Sequence, residues 1–213
     1  MTGQVHARSG RLLVLTVGEL TRDPRARRQV LAALGAGRDV LGACGQTEGD
    51  QPASLAPIRI ERTGTGALKQ SLRPLADAAR AHDSRLMLEV RGLYQLLRLG
   101  RLPVRLIQAA RRLGPAEIVH ANDFDTLPAA SLLARMWGAK LVYDAHELYV
   151  DVEQRPPVVH RAVVRQAERI LARAADGVIT VSEPIAEELA RTMRLRRRPL
   201  VVLNCADVEP GMA

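Results

Sequence analysis

Aromatic side chains are nearly missing from this sequence. One Phe, one Trp and three Tyr make up 2% of its 213 residues. A core must therefore be assembled from Leu, Val, Ile and Ala, which suits strands buried on both faces of a parallel sheet. The same scarcity removes the stacking platforms used to bind single-stranded nucleic acid, and no helix-turn-helix or RNA-binding signature takes their place. Nucleic acid is accordingly not an expected partner, although charge alone would invite it. Lysine is almost as rare. Lys69 and Lys140 are two among 31 basic residues, so the formal charge of +8 and the pI near 10.6 rest on arginine. Codon bias accounts for such an excess, and attraction to anionic ligands or lipid headgroups is compatible with it.

Cysteine and long apolar runs are scarce too. Cys44 and Cys205 lie far apart without metal-ligand spacing, a reduced, intracellular pattern. The start MTGQVHARSGR has no apolar stretch of signal-peptide type, and no run approaches the roughly 20 apolar residues of a membrane span. The expectation is a cytoplasmic protein, free or peripheral on the inner face of a membrane. No metal cluster is visible. The loop TVGELTRDP after the first apolar run holds one glycine, so it carries no G-x-G-x-x-G dinucleotide fingerprint. A Gly-Lys phosphate loop and a G-x-S-x-G nucleophile elbow are absent as well. These absences exclude the commonest dehydrogenase, ATPase and hydrolase readings, and no cofactor is expected.

What is present is alternation. Leu12–Val17 is a buried strand by composition. Asp23-Pro24 starts a helix, Asp as N-cap and Pro at its first position, with Ala26, Val30, Leu31 and Leu34 facing inward. Strands are predicted at 39–44 and 58–60. Residues 63–83 form a connection with a short helix starting at Pro74. Helical spacing at Leu86, Met87, Val90, Leu93, Tyr94 and Leu97 stops at Gly100, and Pro103 starts another helix ending near Gly114. Glu117–His120 and Lys140–Tyr143 are strands around a helix marked by Leu132, Leu133, Met136 and Trp137 and closed by Gly138. A helix with Val159, Val163, Ala167, Ile170, Leu171 and Ala174 on one face leads to a strand at 177–181. Ser182 caps the next helix, which runs to about Met193, and Leu200–Leu203 is the last strand. This order predicts one doubly wound, Rossmann-like α/β domain over residues 1–213, a mostly parallel sheet with helices on both faces.

Two of these strands run into polar clusters. The first ends in His120, Asn122, Asp123 and Asp125, the second in Asp144, His146 and Glu147. In an open α/β sheet the carboxyl ends of the strands form the ligand crevice, so both clusters are expected on one edge.

Five stretches, GELTRDPRARRQ, IVHANDFDTLPAA, KLVYDAHELY, ADGVITVSEPIAEEL and VVLNCADVE, come in this order, each at a strand end. Together they resemble the N-terminal, acceptor-side half of a GT-B glycosyltransferase of family 4, the retaining "group 1" enzymes. The resemblance covers nearly the whole chain and is weakest between residues 45 and 115. It implies transfer of a sugar, of hexosyl type, from a nucleotide-sugar co-substrate to a hydroxyl of a glycan or lipid-linked glycan. It further implies that VLNCADVE enters a C-terminal, nucleotide-sugar-binding domain, which is expected to be absent from this chain, by truncation or because a separately encoded partner supplies it.

The resemblance makes His146 the catalytic candidate, a cleft histidine near the transferred sugar. Gly18, Glu19, His120, Asn122, Asp123, Asp144 and Glu147 become candidate substrate-binding residues. Each has an ordinary alternative. His146 could close a strand end by a backbone contact, Asp144 could orient its loop, and Gly18 could serve a turn. Asp125 or Thr126, and Ser182, could be plain N-caps. The arginines of residues 98–112 and of Arg194–Arg198 are either solvated helix faces or contacts to an anionic membrane surface. The rival to an enzyme is a non-catalytic module that holds acceptor or pairs with a partner.

Overall fold

The structure, a computed structural model, describes residues 10–45, 51–63, 85–149 and 157–204. Seven strands form one sheet: β1 Leu12–Thr16, β2 Val40–Cys44, β3 Arg59–Arg62, β4 Ile118–Asn122, β5 Lys140–Ala145, β6 Gly177–Thr180 and β7 Leu200–Val201. Every pairing is parallel, in the order β3-β2-β1-β4-β5-β6-β7. The helices are α1 Pro24–Gly35, α2 Arg85–Leu113, α3 Leu127–Trp137, α4 Val158–Ala174 and α5 Glu183–Met193, with a 3₁₀ turn at Ala53–Leu55. The chain is thus a doubly wound α/β domain, as its alternation predicts. The strand order reverses between β1 and β4, and the carboxyl ends of the strands at such a point are where this kind of fold places a ligand crevice.

Strand β1 carries the middle of the sheet because both its faces are covered. Leu13 and Leu15 join the larger core with Leu106 and Ala110 of α2 and Leu133 of α3. Leu12 and Val14 join the smaller one with Ala26 and Val30 of α1. Asp23 caps α1 as expected, its carboxylate accepting from the N–H groups of Arg25 and Ala26 at 2.9 and 3.0 Å. Gly138 ends α3 at φ 64°, the left-handed turn glycine enters without a Cβ penalty.

Several sequence expectations change. Residues 64–84, which include the helix expected at Pro74, lie outside the described residues. Gly100 does not stop a helix, and Pro103 sits inside the single helix α2. Proline removes one backbone donor, and the buried Leu102, Leu106, Ala109 and Leu113 hold the helix to the sheet on both sides of it.

On α3, Leu133 is buried while Leu132 and Met136 stand exposed. On α4 the inward stripe is His160, Val164, Glu168 and Ala172, and Val159, Val163 and Ile170 face outward. A glutamate can occupy that stripe because the hydroxyl of the fully buried Tyr143 donates to it at 2.7 Å. Burial, then the Glu168 carboxylate, pushes the Tyr143 hydroxyl well above its ordinary pKa. Neither Ser182 nor Thr126 makes a side-chain cap. The Thr126 hydroxyl instead donates to the carbonyl of Asn122 at 2.7 Å, tying α3 to the end of β4.

Candidate active site at the carboxyl edge of the sheet

Strands β4 and β5 run further than the sequence suggests, and this places the site. Asn122 and Asp144 are strand residues paired in register, and His120 pairs with Val142. Period-two alternation therefore puts His120, Asn122 and Asp144 on one face, the face of α1. Asp144 has no exposed surface. Its partner is Arg25 on the first turn of α1, donating from Nε to Oδ2 at 2.8 Å and from Nη2 to Oδ1 at 2.7 Å. The amide of Gln29, one turn on, donates to the same carboxylate.

Both histidines come to Asp144. The Nε2 atoms of His120 and His146 lie 3.8 and 3.6 Å from its Oδ2, ion-pair rather than hydrogen-bond distances. The other ring nitrogen of His146, Nδ1, is 3.2 Å from Oδ2 of Asp123, and its backbone N–H donates to Oδ1 of Asp123 at 3.4 Å. Asp123 adopts φ 62°, a conformation that costs a non-glycine residue about 1 kcal/mol or more. With that backbone its N–H reaches the carbonyl of Asp144 at 3.0 Å.

The electrostatics follow from this arrangement. Burial alone would raise the Asp144 pKa; the rings of His120 and His146, then the Arg25 guanidinium, overcome it and hold the carboxyl far below the usual range. Burial alone would keep the His146 ring neutral, but Asp123 and then Asp144 lift its pKa to about 9. The ring is therefore cationic at neutral pH. It can donate a hydrogen bond or face an anion, and it is poorly suited to accept a proton there.

The remaining candidates divide. Asn122 is buried and donates to the carbonyl of Leu15 at 3.2 Å, bracing β4 on β1. Gly18 is exposed with nothing within 4 Å of an added Cβ, so the loop after β1 leaves open space over this edge. Glu147 is exposed on the loop after β5. That loop is fastened to the one after β4 by the Tyr149 hydroxyl donating to Asp125 at 3.0 Å and by the Phe124 and Tyr149 rings 5.0 Å apart.

Glu19 is not with this group. It is buried 4% exposed, and accepts from Arg62 at 2.9 and 3.1 Å and from Thr21 at 3.2 Å, joining the ends of β1 and β3. Burial would raise its pKa, yet Arg62 keeps it lowered. Its carboxylate is thus engaged in architecture. Sequence reasoning missed Arg25, which touches Asp144 across 119 positions. The one available signal was its place, on the first turn of the helix that follows a central strand.

Among the described residues no group of three or more His, Cys, Asp or Glu side chains is arranged to hold a metal ion. Among them, too, no helix is long and apolar enough to cross a membrane. Within the arginine tracts, Arg112 pairs with Glu61 at 3.6 Å, and Arg198 pairs with Glu183 and Glu187.

An all-parallel, doubly wound sheet with a polar cluster at its carboxyl edge matches the N-terminal half of GT-B glycosyltransferases. The chain belongs to Glycosyltransferase Family 4, whose family model matches residues 69–209. Among solved structures, the sucrose-phosphate synthase of Thermosynechococcus elongatus superposes with a TM-score of 0.58 at 16% identity, covering 91% of this chain and 47% of that one. HepE of Anabaena, solved in complex with UDP and glucose, gives a TM-score of 0.51 at 14% identity over 94% of this chain and 47% of its own. The chain thus spans about half the length of these structures. No curated protein matches it by sequence.

Proposed function

We propose that this domain forms the acceptor side of a glycosyltransferase that moves a hexosyl group from a nucleotide sugar to a hydroxyl of a glycan or lipid-linked glycan. The observation that carries the reading is the convergence of His120 and His146 on the buried Asp144 at the sheet's carboxyl edge, in a chain of this family. In the reaction the acceptor oxygen bonds to the anomeric carbon, the bond from that carbon to the nucleoside diphosphate breaks, and the hydroxyl proton passes to the departing phosphate oxygen. Catalysis requires the hydroxyl to be held against the anomeric carbon and the departing negative charge to be stabilised. A cationic His146 suits the second task, by donating to a sugar hydroxyl or a phosphate oxygen, better than it suits proton abstraction. Asp123 and Glu147 would orient the acceptor. The nucleotide would be held by a second, donor-binding domain facing this edge, and an anionic membrane surface would supply a lipid-linked acceptor.

The test is turnover with the donor-binding domain joined to this one. His146→Ala should lower it about 10- to 1000-fold, a few kcal/mol of lost transition-state stabilisation. An unchanged rate would remove His146 from the mechanism. The isolated 213-residue chain should show negligible transfer, and robust turnover by it would overturn the two-domain part of the proposal.

A further inference from the structure

Arg25 is buried, and its guanidinium divides its bonds between two parts of the fold. Nε and Nη2 grip the Asp144 carboxylate at 2.8 and 2.7 Å, and Nη1 donates to the carbonyl of Val202 at 2.9 Å. Arg28, on the next turn of α1, bonds the side chain of Asn204. Two arginines of one helix thus hold Val202 and Asn204, which follow β7, while one of them also holds the carboxylate that both histidines face.

We propose that Arg25 is a positioning residue for the candidate site: it fixes the Asp144 carboxylate toward His120 and His146, and ties that geometry to the course of the chain after β7. Without Arg25 the amide of Gln29 would be left as the donor from α1, and a carboxylate held by a single donor can pivot. The planar guanidinium presents two parallel N–H groups and sets both oxygens at once. Its Nη1 donates to Val202 as well, so a shift of that segment pulls on the fork, and with it on the oxygen the imidazoles face. Lysine keeps the charge but cannot supply this geometry. The groups around His146 are Asp123 from the loop after β4, Asp144 from β5, His120 beside it on β4 and Arg25 behind it on α1. That the held ring matters for sugar transfer rests on the function proposed above; that Arg25 holds it does not.

The experiment reads histidine ring and backbone resonances of the full chain by NMR, without any activity assay. Arg25→Met and Arg25→Lys are compared with the unaltered protein across a pH titration. If Arg25 positions Asp144, both variants let the carboxylate turn away. The His146 midpoint then falls from about 9 toward the ordinary value of about 6.5, and the amide signals of Val202 to Asn204 shift with it. If Arg25 were only a neighbouring charge, Arg25→Met would leave Asp144 uncompensated and raise the midpoint, and lysine would restore it. If Arg25 were only structural, melting would drop with the His146 midpoint unmoved. Either of these outcomes overturns the proposal.

Should both variants fail to fold, the unaltered protein still decides. The Arg25 Nε–H and Val202 amide signals should titrate with the same midpoint as the His146 ring. Midpoints independent of His146 would refute the link. A positive result with no sugar transfer in the two-domain enzyme would reject the functional reading and leave the positioning role intact.

Discussion

At the residue scale, the site is a set of charges that stabilise one another only while all are present. Asp144 has no exposed surface and Arg25 is nearly as buried, so removing one leaves the other uncompensated. Asp144→Ala should cost about 3–5 kcal/mol in urea unfolding, whereas the double variant Arg25→Met, Asp144→Ala should recover part of that loss. A cost below about 1 kcal/mol, the range of an exposed pair, would contradict the buried arrangement. His146 makes stability depend on pH in the opposite sense to a carboxylate. Its pKa is about 9 folded against about 6.5 unfolded, so its contribution is fully present below pH 6.5 and vanishes as pH rises through 9. Asp144 contributes above its unfolded pKa and loses that contribution in acid. The difference in melting temperature between the unaltered protein and His146→Gln should shrink between about pH 6.5 and 9.5. A difference constant over that range would mean the ring is not held as a cation. That the two histidines and their acidic neighbours gather at one edge was legible in the sequence, because parallel strands end on the same edge. Arg25 was not singled out, because beyond its place on the first turn of α1 nothing local marks which of four arginines in RDPRARRQ turns inward.

At the scale of elements, packing overrode local preference in α2 and α4. The interface between them is close at Gly92, where an added Cβ would meet Cβ of Pro157 at 2.6 Å and Cβ of His160 at 3.1 Å. Helix propensity alone favours Gly92→Ala by about 1 kcal/mol. The contact argues the other way, because neither the proline ring nor the start of α4 can withdraw cheaply. Gly92→Ala should therefore destabilise by about 1–3 kcal/mol in chemical unfolding. A gain in stability would show that α2 and α4 pack less tightly than described. The inward face of α4 could not be read from hydrophobicity, since it includes His160 and Glu168 and leaves Val159, Val163 and Ile170 outside. The hydrogen bond from Tyr143 that makes Glu168 acceptable inside comes from a strand 25 positions earlier.

At the scale of the molecule, a charge of +8 carried by arginine sets long-range attraction to anions. If the exposed arginines Arg101 and Arg111 meet anionic lipid, binding to anionic vesicles should weaken steeply with salt, since exposed charges are screened within about 8 Å at physiological ionic strength. Equal sedimentation with neutral and anionic vesicles would reject a membrane partner. The pairing of Arg198 with Glu183 and Glu187 already takes one arginine out of the second tract.

The sequence by itself determined the alternation of strands and helices, the parallel sheet and the edge on which the polar residues gather. Periodicity, caps and composition are local, and βαβ connections have one favoured hand, so these properties need no distant contact. Only the tertiary structure decided which polar side chains meet. It turned Glu19 to Arg62, drew Arg25 and both histidines to Asp144, and bound the segment after β7 to α1. Those choices depend on desolvation. A charge loses water when the sheet closes over it, and it keeps its charge only if folding brings a partner from elsewhere in the chain.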